Sequence, residues 1–111
     1  YHAVYEKTQN TWQTILGPGL YKPTEVPSVS GGGWVGAGSG WQAYTEQLSL
    51  VYATQLQAVQ SEVLPTASAI LALATPIIAS GHAKSAAEAM PIYIRNRVAL
   101  KTVEREQGLK L

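Results

Sequence analysis

Residues 41–64, WQAYTEQLSLVYATQLQAVQSEVL, carry the most regular apolar pattern in this chain of 111 residues. Its main apolar residues recur at intervals of three and four: Leu48, Tyr52, Leu56, Val59 and Val63. This spacing places side chains on one face of an α-helix. The stretch also contains no Gly or Pro to interrupt a helix. The sequence therefore predicts a single long helix over 41–64, and with it an all-α fold.

The segment before this stretch divides into two parts. Apolar residues within 3–16 recur near three- and four-residue spacing, and Gly17-Pro18 is a strong helix stop. We therefore expect an N-terminal helix within residues 1–17. Residues 18–40 form a connector rich in Gly and Pro. A connector of this length is uncommon inside a compact domain and is usually functional, disordered or a linker.

Two further helical segments are predicted after residue 64. Residues 66–79 are apolar and start beside Pro65, so they are expected to pack against the 41–64 helix as an antiparallel hairpin. Ser85 to Glu88 fits a capping box, and the pattern over 91–107 predicts a C-terminal helix. The expected fold has three to four helices, a helical hairpin plus a C-terminal helix. Residues 41–111 would form one helical region, part of a larger protein or assembly.

The composition favours a chain that packs against other proteins. Apolar residues make up 46% of the chain and charged residues only 14%, whereas an ordinary soluble domain carries roughly a quarter charged residues. The net charge of +1 argues against a specific nucleic-acid partner. We therefore expect protein subunits as partners, in a homo-oligomer or a larger complex.

The sequence shows no constellation of residues typical of catalysis or metal binding. His2 and His82 lack recognised ligand spacing, there is no Cys, and the carboxylates are scattered. The glycine-rich run over 31–40 lacks the Lys-Ser/Thr pair that a phosphate-binding loop requires. We predict that the chain is not an enzyme and has no catalytic residues, metal, cofactor or small-molecule substrate.

Aromatic residues stand out at the end of the connector. Trp34 and Trp41 lie in an uncharged, glycine-rich segment, and Tyr44 follows Trp41 at helical spacing. They could fold back on the chain's own core, insert into a neighbouring subunit, or lie at a membrane surface. We predict Trp34, Trp41 and Tyr44 as partner-binding residues.

Two features of the C-terminal half suggest a membrane as an alternative partner. Residues 63–81 carry no charge over a length at the lower edge for a membrane span, although they include two prolines. A set of basic residues follows: Arg95, Arg97, Lys101 and Arg105. The set favours a solvated helix face, with contact with a membrane or an acidic partner as the alternative.

From these patterns we predict a structural or interaction subunit of a virion- or appendage-type particle. The charge-poor, cysteine-free composition favours that class. The alternative is a membrane-active component that inserts residues 63–81 into a bilayer. Either function favours an extracellular particle, a virion or a membrane over the cytoplasm, and the sequence identifies no family.

Overall fold

The structure is a computed structural model that describes residues 1–95, 99 and 101–110. The described chain contains four strands and four α-helices, in the order β1 (His2–Thr8), β2 (Thr11–Gly19), β3 (Trp34–Ala37), α1 (Gly40–Ala43), α2 (Thr45–Tyr52), β4 (Leu56–Gln60), α3 (Ala67–Ala79) and α4 (Thr102–Glu106). Single 3-10 turns lie at Ala53–Gln55 and Ala86–Glu88. The fold is a mixture of α and β structure, and the all-α prediction is wrong.

The N-terminal segment is a hairpin and not the predicted helix. β1 and β2 pair antiparallel, with Val4 opposite Leu16 and Thr8 opposite Thr11. Gln9 and Asn10 both take positive φ angles, 50° and 65°, as the central residues of a type I′ hairpin turn do. The prediction failed because this two-residue turn reverses the chain in the middle of the apolar pattern.

The predicted helix over 41–64 is divided between a helical crossover and a strand. α2 ends at Tyr52, because Ala53 takes a φ of 41° and a ψ of −120°, which no α-helix continues. β4 follows and pairs in parallel with β3, from Trp34 opposite Leu56 to Ala37 opposite Gln60. Parallel strands need a crossover connection, and α1 and α2 supply it. The predicted connector therefore contributes a strand to a sheet.

The helix predicted over 66–79 is confirmed in position, but its predicted packing is wrong. α3 begins after Thr66, whose side chain accepts a hydrogen bond of 3.2 Å from the Ala69 amide. No residue of α3 is buried, and the antiparallel hairpin cannot form because the 41–64 helix does not exist. The capping box at Ser85 and Glu88 is confirmed, although it opens only one 3-10 turn.

The predicted C-terminal helix is largely absent from the described residues. Residues 89–95 form neither helix nor strand, and α4 covers only Thr102–Glu106. Pro91 disfavours helical geometry at Met90, so the turn at Ala86–Glu88 does not continue into the predicted helix. Residues 96–98 and 100 of the predicted helix lie outside the described residues.

The buried core is small and lies near the N-terminal end of the chain. Val4, Leu48 and Tyr52 are the buried apolar residues of the described chain. The Cα radius of gyration is 17.6 Å, against about 13 Å for a compact chain of this length. The division of the chain at residues 17 and 40 stays a prediction.

Candidate protein-interaction site

Aromatic rings gather around Tyr52, the last residue of α2. The His2 ring stacks on Tyr52 at 6.1 Å between centroids, with an interplanar angle of 5°. Trp41 lies 5.9 Å from Tyr52 at 40°, and Tyr21 meets the His2 ring edge-on at 5.9 Å. We call His2, Tyr21, Trp41 and Tyr52 the Tyr52 cluster. Tyr52 enters it because it shares a face of α2 with the buried Leu48, four residues earlier.

Hydrogen bonds show that Nε2 of His2 carries a proton. The Tyr52 hydroxyl donates to the Pro27 carbonyl at 2.9 Å and lies 2.6 Å from His2 Nε2. A hydroxyl has only one hydrogen, so Nε2–H of His2 is the donor to the Tyr52 oxygen. In the neutral ring Nδ1 is then an acceptor, and it is buried with no hydrogen-bond partner among the described residues.

Both polar members of this hydrogen bond titrate away from their ordinary values. Burial, followed by the positive charge of the amino terminus, lowers the pKa of His2 below 6.5. A proton added at the buried Nδ1 would create a buried N–H donor with no acceptor among the described residues, which agrees with that direction. Burial raises the pKa of Tyr52 above its ordinary value of 10.0. The pair therefore stays neutral at physiological pH.

Side-chain hydrogen bonds hold the glycine-rich segment in place. Trp34 Nε1 donates to the Ser30 carbonyl at 2.9 Å. Gln55 Nε2 donates to the carbonyls of Val29 and Gly31, at 2.6 Å and 2.8 Å. Gly31 can take its φ of 75° because it lacks a Cβ. The segment is therefore a defined loop that delivers Trp34 to the start of β3.

Trp41 lies directly on the backbone of β3. A Cβ at Gly36 would lie 2.6 Å from Cζ2 and 2.7 Å from Cδ2 of the indole, well inside van der Waals contact. Only glycine at position 36 allows this approach. Trp41 therefore finds its contacts within the chain, on Gly36 and Tyr52.

An open groove of about 1020 Å³ lies beside the Tyr52 cluster. Residues 1–5 and 34–41 line it continuously, together with Leu48 and Tyr52. All three tryptophans of the chain, Trp12 included, contribute to its walls. None of its described lining residues is Asp, Glu, Lys or Arg. We call this the aromatic groove. Its chemistry suits an apolar, uncharged occupant.

The structure brings the three predicted partner-binding residues together. Trp34, Trp41 and Tyr44 all line the aromatic groove, and their binding role stays a prediction. Sequence reasoning missed Tyr21 and Tyr52 and gave His2 no role. Their contacts join residues far apart in the chain, such as His2 and Tyr52, which are 50 positions apart. No local pattern could have signalled them.

The predicted basic residues lie elsewhere. Arg95 is half-buried, whereas Lys101 and Arg105 are exposed before and within α4. Arg97 lies outside the described residues. None of the three described residues lines the groove, and their contact with an acidic partner stays a prediction.

The described residues also bear on a metal site and on a membrane span. In this part of the chain, no three His, Cys, Asp or Glu side chains come together as a metal site. Among the helices that the structure describes, none combines the length and the apolar character needed to cross a bilayer.

One curated protein gives this chain a functional context. The chain is 33% identical over 106 residues to the tRNA threonylcarbamoyladenosine biosynthesis protein TsaB of Escherichia coli (strain K12). The match covers 91% of this chain and 45% of that protein, so the chain spans about half the length of the curated relative. No protein-family model and no solved structure matches the chain.

This likeness overturns the function predicted from composition. A relative named for tRNA-modification biosynthesis contradicts a virion- or appendage-type subunit and the membrane-active alternative over residues 63–81. The extracellular, virion and membrane-associated localisations are wrong for the same reason. A small share of charged residues is consistent with exposed apolar surface. Such surface does not by itself distinguish a particle subunit from a subunit of any other protein complex.

Two predictions are not overturned by this likeness: that the chain has protein partners and that it is not an enzyme. Protein partners agree with the exposed apolar side chains of α3 and with the open aromatic groove, although no particle or membrane assembly is supported. The relative's name states a biosynthetic process and does not say whether that protein is catalytic. That the chain is not an enzyme therefore stays a prediction.

Proposed function

We propose that this chain takes part in the biosynthesis of threonylcarbamoyladenosine in tRNA. The observation that carries the proposal is the 33% identity to the Escherichia coli protein TsaB, which extends over 91% of the chain. Identity spread along nearly the whole chain supports a shared role better than a short motif does, because short motifs recur on unrelated folds.

The part that we propose for the chain in this process is protein binding. The apolar side chains of α3 support it, since Ile70, Leu71 and Ile78 are each more than half exposed. A helix that is apolar on all sides is normally buried, and contiguous exposed apolar surface is typical of protein interfaces. Contact with another protein would remove these side chains from water.

A hybrid protein tests the biosynthetic role. The part of the Escherichia coli protein that matches this chain is replaced by this chain, in cells that make only the hybrid. We expect threonylcarbamoyladenosine, measured by mass spectrometry in digested tRNA, to return to the level of cells with the native protein. A folded, abundant hybrid that leaves the nucleoside at the level of depleted cells would contradict the proposal.

Matched variants show whether this region of the hybrid must be folded. Tyr52→Ala removes the centre of the Tyr52 cluster and should abolish the nucleoside. Leu50→Ala alters an 82% exposed residue of the same helix and should leave the nucleoside unchanged. Equal effects of the two variants would show that the packing described here does not exist in the hybrid.

Polar substitutions on α3 test the protein-binding part separately. The pair Leu71→Ser and Ile78→Ser should lower the nucleoside without lowering the amount of hybrid, because both side chains are already exposed. An unchanged nucleoside level would exclude α3 as an interface and leave the biosynthetic proposal intact.

A further inference from the structure

α3 is the longest helix of the described chain, and its apolar side chains lie in water. Its 13 residues carry no charge, and none of them is buried. An isolated helix of this length is marginal in water, because most helices in proteins gain their stability from a packed face. The chain therefore gains stability if one face of α3 packs against another apolar surface.

The aromatic groove is an apolar surface of this kind. Three indoles contribute to its walls, and none of its described lining residues has a charged side chain. None of the residues of α3, all of which the structure describes, lines the groove. The groove is open in this structure, so two uncharged apolar surfaces of the same chain both remain in contact with water.

A short connection keeps α3 beside the groove. Gln60, the last residue of β4, and Val63 both line the groove. Ala67, the first residue of α3, follows Val63 by four positions, a distance of at most about 14 Å in an extended chain. Such a short tether gives an effective concentration in the millimolar range. At lower protein concentrations, α3 of the same chain is therefore favoured over a second molecule as the occupant of the groove.

The larger apolar face of α3 is formed by Ile70, Leu73 and Ile77. These residues recur at intervals of three and four, so their side chains share one side of the helix. Leu71 and Ile78 lie more than about 100° around the helix from the centre of that face. A face with three large apolar side chains removes more apolar area from water than a face with two.

We propose that α3 is a lid that closes over the aromatic groove with the face formed by Ile70, Leu73 and Ile77. The structure holds the open state, and closure removes both this face and the rings of the groove from water. Leu71 and Ile78 stay outside, available to the protein contact proposed above. The inference concerns the purified chain and does not depend on the biosynthetic role.

A fluorescence quencher attached to either side of α3 gives the first test. The chain contains no Cys, and all three of its tryptophans line the groove. A nitroxide label is therefore attached at Leu73→Cys in one variant and at Leu71→Cys in another. We expect the label at position 73 to quench tryptophan fluorescence at least twice as strongly as the label at position 71. Equal quenching, or quenching that rises with protein concentration, would overturn closure within one chain.

Two adjacent residues of α3 give a matched pair for the second test. Ile77 and Ile78 are similarly exposed in the open state, at 52% and 60%, but only Ile77 belongs to the proposed closing face. Ile77→Lys should keep the lid open, because closure would bury an unpaired charge. We expect this variant to bind at least twice as much of the apolar dye ANS as the native chain, and Ile78→Lys to bind the native amount. Equal dye binding by the two variants would contradict the proposal.

A charge placed in the groove, and not in α3, gives the third test. Val35 lines the groove and is 49% exposed, whereas Leu50 is 82% exposed and lies outside it. Packing protects the amides of a helix from hydrogen exchange. Val35→Lys should therefore lower the protection of the α3 amides at least tenfold, and Leu50→Lys should leave it unchanged. Unprotected α3 amides in the native chain, or equal protection in both variants, would show that α3 does not close on the groove.

Discussion

The regions before and after residue 60 are both apolar in sequence, but they differ in how they bury their side chains. Residues 1–60 contain both sheets and the buried residues Val4, Leu48 and Tyr52. The described part of residues 61–110 contains α3 and α4, and neither helix has a buried residue. Apolar composition alone therefore does not determine burial.

The two regions differ in the reach of their contacts. In the first region, Tyr52 bonds to His2 across 50 positions and Gln55 bonds to Val29 across 26. In the second, hydrogen bonds join near neighbours, such as Thr75 Oγ1 to the Leu71 carbonyl. Local hydrogen bonds form within a helix but do not pack it against the rest of the chain. A short helix gains most of its stability from such packing. The first region therefore buries its apolar side chains within the chain, whereas the second leaves the apolar side chains of α3 exposed.

The largest loss of stability is expected when Tyr52, at the centre of the Tyr52 cluster in the first region, is truncated. Tyr52→Ala should lower the free energy of unfolding by about 3–5 kcal/mol, as truncation of buried aromatic residues does. Urea unfolding followed by tryptophan fluorescence measures it. Leu50→Ala, on the exposed side of α2, should stay within about 0.5 kcal/mol of the native chain. A smaller loss for Tyr52→Ala would show that the first region is not held by this cluster.

A smaller loss of stability is expected from a substitution at Gly36, where Trp41 packs on β3. Gly36→Ala places a methyl group against the indole and should cost about 1–3 kcal/mol, in the range of overpacked sites. Gly40→Ala is the matched control, because nothing lies within 4 Å of a Cβ there. Both are measured by urea unfolding. Similar effects at the two glycines would contradict the close packing of Trp41 on Gly36.

The half-buried His2 should make the first region sensitive to acid. Its pKa is lowered in the folded chain, so below pH 6.5 the unfolded chain binds a proton that the folded chain does not. The contribution of His2 to the free energy of unfolding is therefore complete above pH 6.5. It is lost as the pH falls toward the pKa of His2 in the folded chain. Urea midpoints between pH 8 and pH 5 measure it.

Matched histidine variants show whether His2 causes the loss of stability in acid. His2→Gln should flatten the fall in stability with acid, whereas His82→Gln, at an exposed histidine of the second region, should preserve it. A fall that persists in His2→Gln would show that another group is responsible.

The smallest effect separates the two regions most directly, because the same substitution is made in each. Leu71 on α3 is 65% exposed, so Leu71→Ala should change the free energy of unfolding by less than about 0.5 kcal/mol. Leu48→Ala, in the buried core, should cost about 2–5 kcal/mol. Measured at low concentration by urea unfolding, equal costs would show that α3 packs within the monomer.

What could be predicted from sequence follows the same division. The position of α3 and the capping box at Ser85 were predictable because both depend on residues within a few positions of each other. The hairpin was missed because its turn is Gln9-Asn10 and not the Asn-Gly pair that signals a type I′ turn. β4 was assigned to a helix because a short apolar run fits either structure until its partner β3 is known.

The candidate site was predictable only in part. Trp34, Trp41 and Tyr44 were identified because large aromatic side chains are unusual in a glycine-rich segment, and all three line the groove. Tyr52 also fitted a helical stripe, and His2 stood alone in the sequence. Only tertiary structure brings their rings together, so no spacing rule could pair them.

The contact between Gly36 and Trp41 also constrains how this sequence can diverge. The indole occupies the space that any side chain at position 36 would need. In related chains, a larger residue at position 36 should therefore occur with a smaller ring or an aliphatic residue at position 41. The two positions should therefore co-vary, although Gly36 lies in β3 and Trp41 lies in α1.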